Sequence, residues 1–160
     1  MAKQNIYQMR VKDVLVKDVV YVNPSDTLDE TLNLMIENRV SALPVIDGHR
    51  RCVGFISATD LLDLTREIGD ELNALEPLSG MTRQLLTEKL GQSGLMNKQV
   101  HELMSDSVVS VGFEDPLTTA ARVLIRNRVH RLAVVDGQRH LKGIVSMTDI
   151  LRAFAESSPQ

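Results

Sequence analysis

Two segments of the chain carry the residue types best suited to chemistry: Gly54-Phe55-Ile56-Ser57-Ala58-Thr59-Asp60 and Gly143-Ile144-Val145-Ser146-Met147-Thr148-Asp149. Each reads as the end of an apolar strand running into a helix. Its hydroxyls and carboxylate therefore sit where the free amides of a helix N-terminus gather. Amides and hydroxyls together can hold a phosphate or the polar edge of a ligand. A carboxylate in that place can accept two hydrogen bonds from a ribose 2′,3′-diol. A plainer reading competes with this one: Thr59 with Asp60, and Thr148 with Asp149, simply cap their helices. Two copies in register weaken the plainer reading, although duplication of a cap would give the same pattern.

Other chemistry is hard to find. The chain has no Walker loop, no glycine-rich dinucleotide fingerprint and no nucleophile elbow. His49, His101, His130 and His140 lack metal-ligand spacing, and no metal site is expected. The single cysteine, Cys52, lies within an expected strand, where a buried structural thiol is the ordinary outcome. One cysteine also excludes an internal disulfide framework and a cysteine-based zinc site. No nucleophile–base arrangement is visible, so an enzyme is not expected. A net charge of −3, 3% aromatic residues and no Trp argue against a nucleic-acid partner. The polar first ten residues and the short apolar runs argue against an export signal or a membrane partner, and lead to the expectation of a soluble, cytoplasmic protein.

The elements that must position these segments follow from an internal repeat. Shifted by 89 positions, Val11–Leu64 lies on Val100–Ala153 without a gap, and 20 of the 54 pairs are identical. About 6% chance matching would give roughly three. Each copy opens on a β-branched stretch: Val19, Val20 and Val22, or Val108, Val109 and Val111. A helix start follows at Asp26-Thr27 and at Asp115-Pro116, the latter read as an N-cap with a first-turn proline. Apolar residues then recur at helical spacing: Leu28, Leu32, Met35 and Ile36, or Leu117, Ala121, Leu124 and Ile125. A strand at Leu43–Ile46 or Leu132–Val135 leads into an Asp-Gly turn, and a second strand runs over Cys52–Ile56 or Leu141–Val145. A last helix starts near Asp60 or Asp149, with Leu61, Leu62 and Leu64, or Ile150, Leu151 and Phe154, facing inward. Each unit is thus β-α-β-β-α. The fold class is α/β (α+β), two such repeats packed as a pseudo-two-fold pair. Repeat 1 is assigned to residues 1–67, a helical linker to 68–98 and repeat 2 to 99–156. The linker carries Leu72, Leu75, Leu85, Leu86 and Leu90, which need a cover.

Outside the linker the chain resembles a pair of cystathionine β-synthase (CBS) domains, a Bateman module. The residues that carry the resemblance are 38–47 (Asn-Arg-Val-Ser-Ala-Leu-Pro-Val-Ile-Asp) with Gly54–Asp60, and 128–136 (Arg-Val-His-Arg-Leu-Ala-Val-Val-Asp) with Gly143–Asp149. Within the family both repeats are most similar to the nucleotide-sensing gamma subunit of AMP-activated protein kinase. The resemblance implies a regulatory module that binds adenosine nucleotides (AMP, ADP or ATP) in two clefts between the repeats. It further implies a flat homodimer built on the repeat helices. With no effector domain in the chain, the output would fall on a separate, unknown effector protein. Asp60 and Asp149 match ribose-binding aspartates, and Ser57, Thr59, Ser146 and Thr148 match the hydroxyls beside them. His130 and Arg131 match a phosphate-binding pair. Ser41 lines the same kind of cleft, with Pro44 in the strand entry beside it. The stretches at Asp18 to Val20 and Ser107 to Val109 would contribute the adenine pocket.

Two departures make the expected sites unequal. Repeat 1 has Ser41-Ala42 where repeat 2 has His130-Arg131, so the positive charge for a phosphate is one-sided; a guanidinium can pair bidentately with such a group. A solvated pair at a strand edge is the alternative for His130-Arg131. Repeat 2 has Ala133 where repeat 1 has Pro44, which alters the strand entry. Arg39 and Arg128 either line the cleft or make surface ion pairs. The rival functions are a docking and dimerisation module with empty clefts, and a module for S-adenosylmethionine. No acidic cluster demands a divalent cation beside a triphosphate.

Overall fold

A computed structural model of the chain describes residues 5–61, 88, 91–92 and 94–157. Most of the expected linker, with Leu72, Leu75, Leu85, Leu86 and Leu90, lies outside the described residues, as do Leu62 and Leu64. At the linker's end Leu95–Asn97 forms a 3-10 turn.

The chain forms two compact units, and each is assembled from both halves of the sequence. Unit 1 holds Met1–Val19, His49–Cys52 and Val108–Gln160; unit 2 holds Val20–Gly48 and Val53–Ser107.

In unit 2, helix α1 (Leu28–Asn38) is followed by strands β1 (Ala42–Ile46) and β2 (Cys52–Ser57), which pair in a two-stranded sheet. Thr27 caps α1 through a reciprocal box with Glu30: the Thr27 amide donates to Glu30 Oε2 at 2.8 Å and the Glu30 amide to Thr27 Oγ1 at 3.3 Å. These two bonds satisfy orphan donors of the first turn and hold the Glu30 carboxyl below its usual range, the Thr27 backbone bond acting most strongly. The buried stripe of α1, Leu28, Leu32 and Met35, packs on Leu43, Val45 and Ile56 of the sheet. Val100, from helix α2 (Val100–Leu103), is wholly buried in the same core.

In unit 1 the order is β3 (Ser110–Gly112), α3 (Leu117–Asn127), β4 (Arg131–Val135), β5 (Leu141–Ser146) and α4 (Met147–Ser157). β4 is central, parallel to β3 and antiparallel to β5. Val111, Ala120, Leu124, Leu132, Val134 and Val145 form its core together with Val11, from the far end of the chain. Among the described residues no helix is long and apolar enough to cross a membrane.

Four sequence expectations change. The opening strand of repeat 1 is reduced to one parallel bridge, Val22 to Val45. Proline is the reason: in unit 1 the Ala133 amide donates to Val109 O at 3.3 Å, and Pro44, its counterpart, has no N–H to offer. Next, Asp115 is not the N-cap of α3. Pro116 is, and the Asp115 carboxylate instead accepts from the Gly112 amide at 2.7 Å. On the outer helices Ile125, Leu151 and Phe154 face solvent, at 73%, 61% and 56% exposure, while Ala120 and Ala153 take the buried positions. Finally, Arg39 and Arg128 have a backbone role that their residue type does not suggest. They end α1 and α3 in the left-handed conformation, each with φ 54°, and both are exposed.

Candidate functional site

The two chemistry-bearing segments form the same turn twice. In unit 2 the Ser57 amide and hydroxyl both donate to Asp60 Oδ2, at 3.0 and 2.6 Å, and the Asp60 amide donates back to Ser57 Oγ at 3.1 Å. In unit 1 Ser146 and Asp149 repeat this at 2.8, 2.6 and 3.2 Å. The serine is thus the cap and the aspartate closes the box, so the helices begin at residue 58 and at Met147 rather than at the aspartates. The plain capping role is therefore real, and it occupies one carboxylate oxygen in each copy. The other, Oδ1, is left. At Asp60 it makes no hydrogen bond among the described residues. At Asp149, whose side chain is 13% exposed, it lies 3.7 Å from the Arg152 guanidinium.

Thr59 and Thr148 stand two residues beyond each serine and are exposed. Their hydroxyls make no hydrogen bond among the described residues. A serine hydroxyl has one proton, and in both copies it is held by the aspartate; a donor for a ligand must come from the threonines or the backbone.

The strand entry meets this turn through the backbone. The Ala58 amide donates to Ser41 O at 2.8 Å, and the Met147 amide donates to His130 O at 2.9 Å. Position 41 or 130 is thereby fixed beside the turn of its own repeat. In unit 1 the antiparallel register sets Arg131 directly opposite Ser146. Arg131 is partly buried, and desolvation lowers its pKa from the usual guanidinium value. His130, its neighbour, is exposed. Val109 reaches β4 through the bond from the Ala133 amide, two residues beyond Arg131. Unit 1 thus gathers Val109, His130, Arg131, Ser146, Thr148 and Asp149. Unit 2 gathers Ser41, Pro44, Ser57, Thr59 and Asp60, with Val20 at the start of the segment whose Val22 amide donates to Pro44 O at 3.1 Å. Asp18 and Ser107, both exposed, group otherwise: Asp18 belongs to unit 1 and Ser107 to unit 2.

The motif glycines have a role that ligand chemistry does not suggest. A Cβ on Gly54 would lie 2.6 Å from Ser105 O and 2.8 Å from Met104 Sδ. On Gly143 it would lie 2.5 Å from Val16 O and run into the Leu15 side chain. These are the residues of the crossing segments. Ser105 exchanges two backbone bonds with Phe55, at 3.0 and 2.9 Å, and Val16 does the same with Ile144, at 2.9 and 3.0 Å. The signal was present in the sequence, since a glycine inside a strand marks close backbone approach.

Among the described residues no group of three or more His, Cys, Asp or Glu side chains is placed to hold a metal ion. Cys52 is buried.

Comparison with known proteins agrees with this architecture. CBSX2 of Arabidopsis thaliana, in a crystal structure with AMP, superposes with a TM-score of 0.69 and 31% identity, over 92% of this chain and 96% of that one. The chloroplastic CBS domain-containing protein CBSX1 of the same plant is 32% identical over 146 residues, 86% of this chain and 59% of that protein. The gamma-3 subunit of 5′-AMP-activated protein kinase of Sus scrofa is 29% identical over 141 residues, 88% of this chain and 24% of that protein. The chain therefore spans between a quarter and three fifths of these curated relatives. The family model for the CBS domain matches residues 11–67 and again residues 100–156. One model matching both halves of the repeat, on a fold shared with a solved CBS pair, makes this protein a member of the CBS domain family.

Proposed function

We propose that the chain is a regulatory, non-catalytic module that binds an adenosine nucleotide at each strand-to-helix turn and passes the occupancy to a separate effector protein. The observation that carries this reading is the duplicated serine–aspartate turn, which in each copy leaves one threonine hydroxyl and one carboxylate oxygen without a hydrogen bond among the described residues, Asp149 Oδ1 having only the Arg152 guanidinium at 3.7 Å. In this reading Asp60 or Asp149 takes the ribose diol through Oδ1, and the apolar edge at Val20 or Val109 takes the base. The partly buried Arg131 takes the phosphate in unit 1. Unit 2 has Ala42 at the corresponding position, so its site is the weaker one for a charged ligand. The AMP complex of CBSX2 supports the ligand class. Self-association through the repeat helices is part of the same reading. Binding can signal only by favouring one arrangement over another.

Calorimetric titration of nucleotide-stripped protein with AMP, ADP, ATP and S-adenosylmethionine tests the reading. One or two adenosine ligands per chain are expected. Arg131→Ala should weaken the tighter site by roughly 10- to 100-fold, the range for losing a charge-assisted phosphate contact. Asp60→Ala with Asp149→Ala should remove binding at both sites. Silence across the panel, or unchanged affinity in the double aspartate variant, would overturn it.

A further inference from the structure

Parts of two turns, one from each repeat, come together in unit 1, and both are basic. The turn after β1 reads Asp47-Gly48-His49-Arg50-Arg51; the turn after β4 reads Asp136-Gly137-Gln138-Arg139-His140, with Lys142 two residues on. His49–Cys52 groups with unit 1, although its neighbours in sequence belong to unit 2. The backbone joins the turns there. The Leu141 amide donates to Arg50 O at 3.2 Å, and Arg51 and His140 stand directly opposite in an antiparallel bridge. Residues opposed in this way project to one face, with Cβ atoms about 5 Å apart. Lys142 follows His140 on that face by alternation. Arg50 and Arg139 are equivalent in the two repeats, and both adopt the left-handed conformation, with φ 63° and 67°. His49, Arg50, Arg51, Arg139 and Lys142 are exposed.

The cluster is held in place and keeps a basic excess. Asp136 Oδ1 accepts from the amides of Gln138 and His140 at 2.9 and 3.0 Å, and Oδ2 meets the His140 ring and the Lys142 ammonium, each at 3.3 Å. Desolvation raises the Asp136 carboxyl, but these partners outweigh it and hold the group at about 2. One ionised carboxylate thereby positions two of the basic side chains. The two turns hold one other acidic residue, Asp47, against Arg50, Arg51, Arg139 and Lys142. Arg50 and Arg139 take part in no ion pair among the described residues.

This positive patch belongs to a chain of net charge −3. The rest of the chain would repel a long polyanion, and the turns carry no Phe, Tyr or Trp on which a base could stack. A short run of carboxylates meets neither obstacle, and a guanidinium takes a carboxylate bidentately. We propose that the paired turns are the docking surface for a short acidic segment of a partner protein, with Arg50 and Arg139 taking its carboxylates and His140 and Lys142 flanking them. The proposal deepens the reading above by naming the surface that the effector meets. It rests on that reading for the existence of such a protein and on nothing in the nucleotide site.

Fluorescence anisotropy of fluorescein-labelled decaglutamate, titrated with the nucleotide-stripped full chain, tests it. In about 25 mM salt a Kd on the order of 100 µM is expected, weakening about tenfold at about 150 mM salt as the exposed charges are screened. Arg50→Gly with Arg139→Gly removes two charges at positions whose positive φ suits glycine, and should weaken binding about tenfold. Arg122→Gln with Arg126→Gln removes the same charge from exposed positions of α3 and should stay within about twofold of wild type. No binding of decaglutamate up to about 1 mM protein in the dilute salt would overturn the proposal. Equal weakening by the two pairs would also overturn it, since affinity would then follow net charge alone. Tighter binding of a labelled ten-nucleotide deoxythymidine strand than of decaglutamate would assign the turns to nucleic acid and overturn it as well. Because no nucleotide is present in the titration, failure of the nucleotide reading would leave a positive result standing.

Discussion

Ser146 and Thr148 differ by two positions and by what their hydroxyls are free to do. The Ser146 proton lies on Asp149 at 2.6 Å, while Thr148 is exposed and unbonded among the described residues. The two should separate stability from binding. Ser146→Ala removes a helix cap and should cost about 1 kcal/mol of folding stability. Thr148→Val should change stability by less than about 0.5 kcal/mol. If the threonine donates to the ligand, the same change lowers nucleotide affinity severalfold. Melting curves and calorimetry on both variants read the two effects independently, and a Thr148→Val protein with unchanged affinity would remove the threonine from the site. The asymmetry at Arg131 was legible because residue type alone distinguishes Arg131 from Ala42. The division of labour between Ser146 and Thr148 was not, because both are hydroxyls at a helix start. Only the direction of one proton separates them.

At the scale of elements the glycines decide whether a strand accepts its neighbour. Gly143→Ala places a methyl 2.5 Å from Val16 O and against Leu15, a clash with backbone that a side-chain rotation cannot relieve. A loss of about 1–3 kcal/mol is expected, the usual range for overpacking. Gly137→Ala, whose Cβ meets nothing within 4 Å, is the control. Denaturant melts of the two variants check this, and equal stability would show that the crossing segment is not held where Gly143 requires it. The β-α-β-β-α order was legible from alternating apolar runs and Asp-Gly turns. The loss of the first strand was foreshadowed by Pro44, whose missing N–H is readable as a residue type. The exposure of Ile125, Leu151 and Phe154 was not readable: helical spacing marks an apolar stripe, but α3 buries Leu117, Ala120 and Leu124 and α4 buries Ala153, and Ile125, Leu151 and Phe154 fall outside those faces.

The whole molecule is organised by two segments that leave their own repeat. Val11 is wholly buried in the core of unit 1, and Val100 in the core of unit 2. The repeat arithmetic showed that the two segments are equivalent, yet it could not show that each serves the other copy, since self-similarity says nothing about which copy a segment covers. A fragment of residues 1–67 would lack Val100 and the two bonds from Ser105 to Phe55. It should show no cooperative melting transition by circular dichroism. Adding a fragment of residues 99–156 should restore one. Cooperative melting of residues 1–67 alone would mean that the exchange is dispensable.

The crossing also dictates an order of events during synthesis. Val16 leaves the ribosome 128 residues before its partner Ile144. At about 5–20 residues per second the wait is roughly ten seconds. Unit 2 meets the same constraint earlier, since it closes only after Val100 and Ser105 have emerged. For that interval Val11, Val14, Leu15 and Val16 form an unpaired apolar tether on a partly made chain, waiting for β5 to take them up.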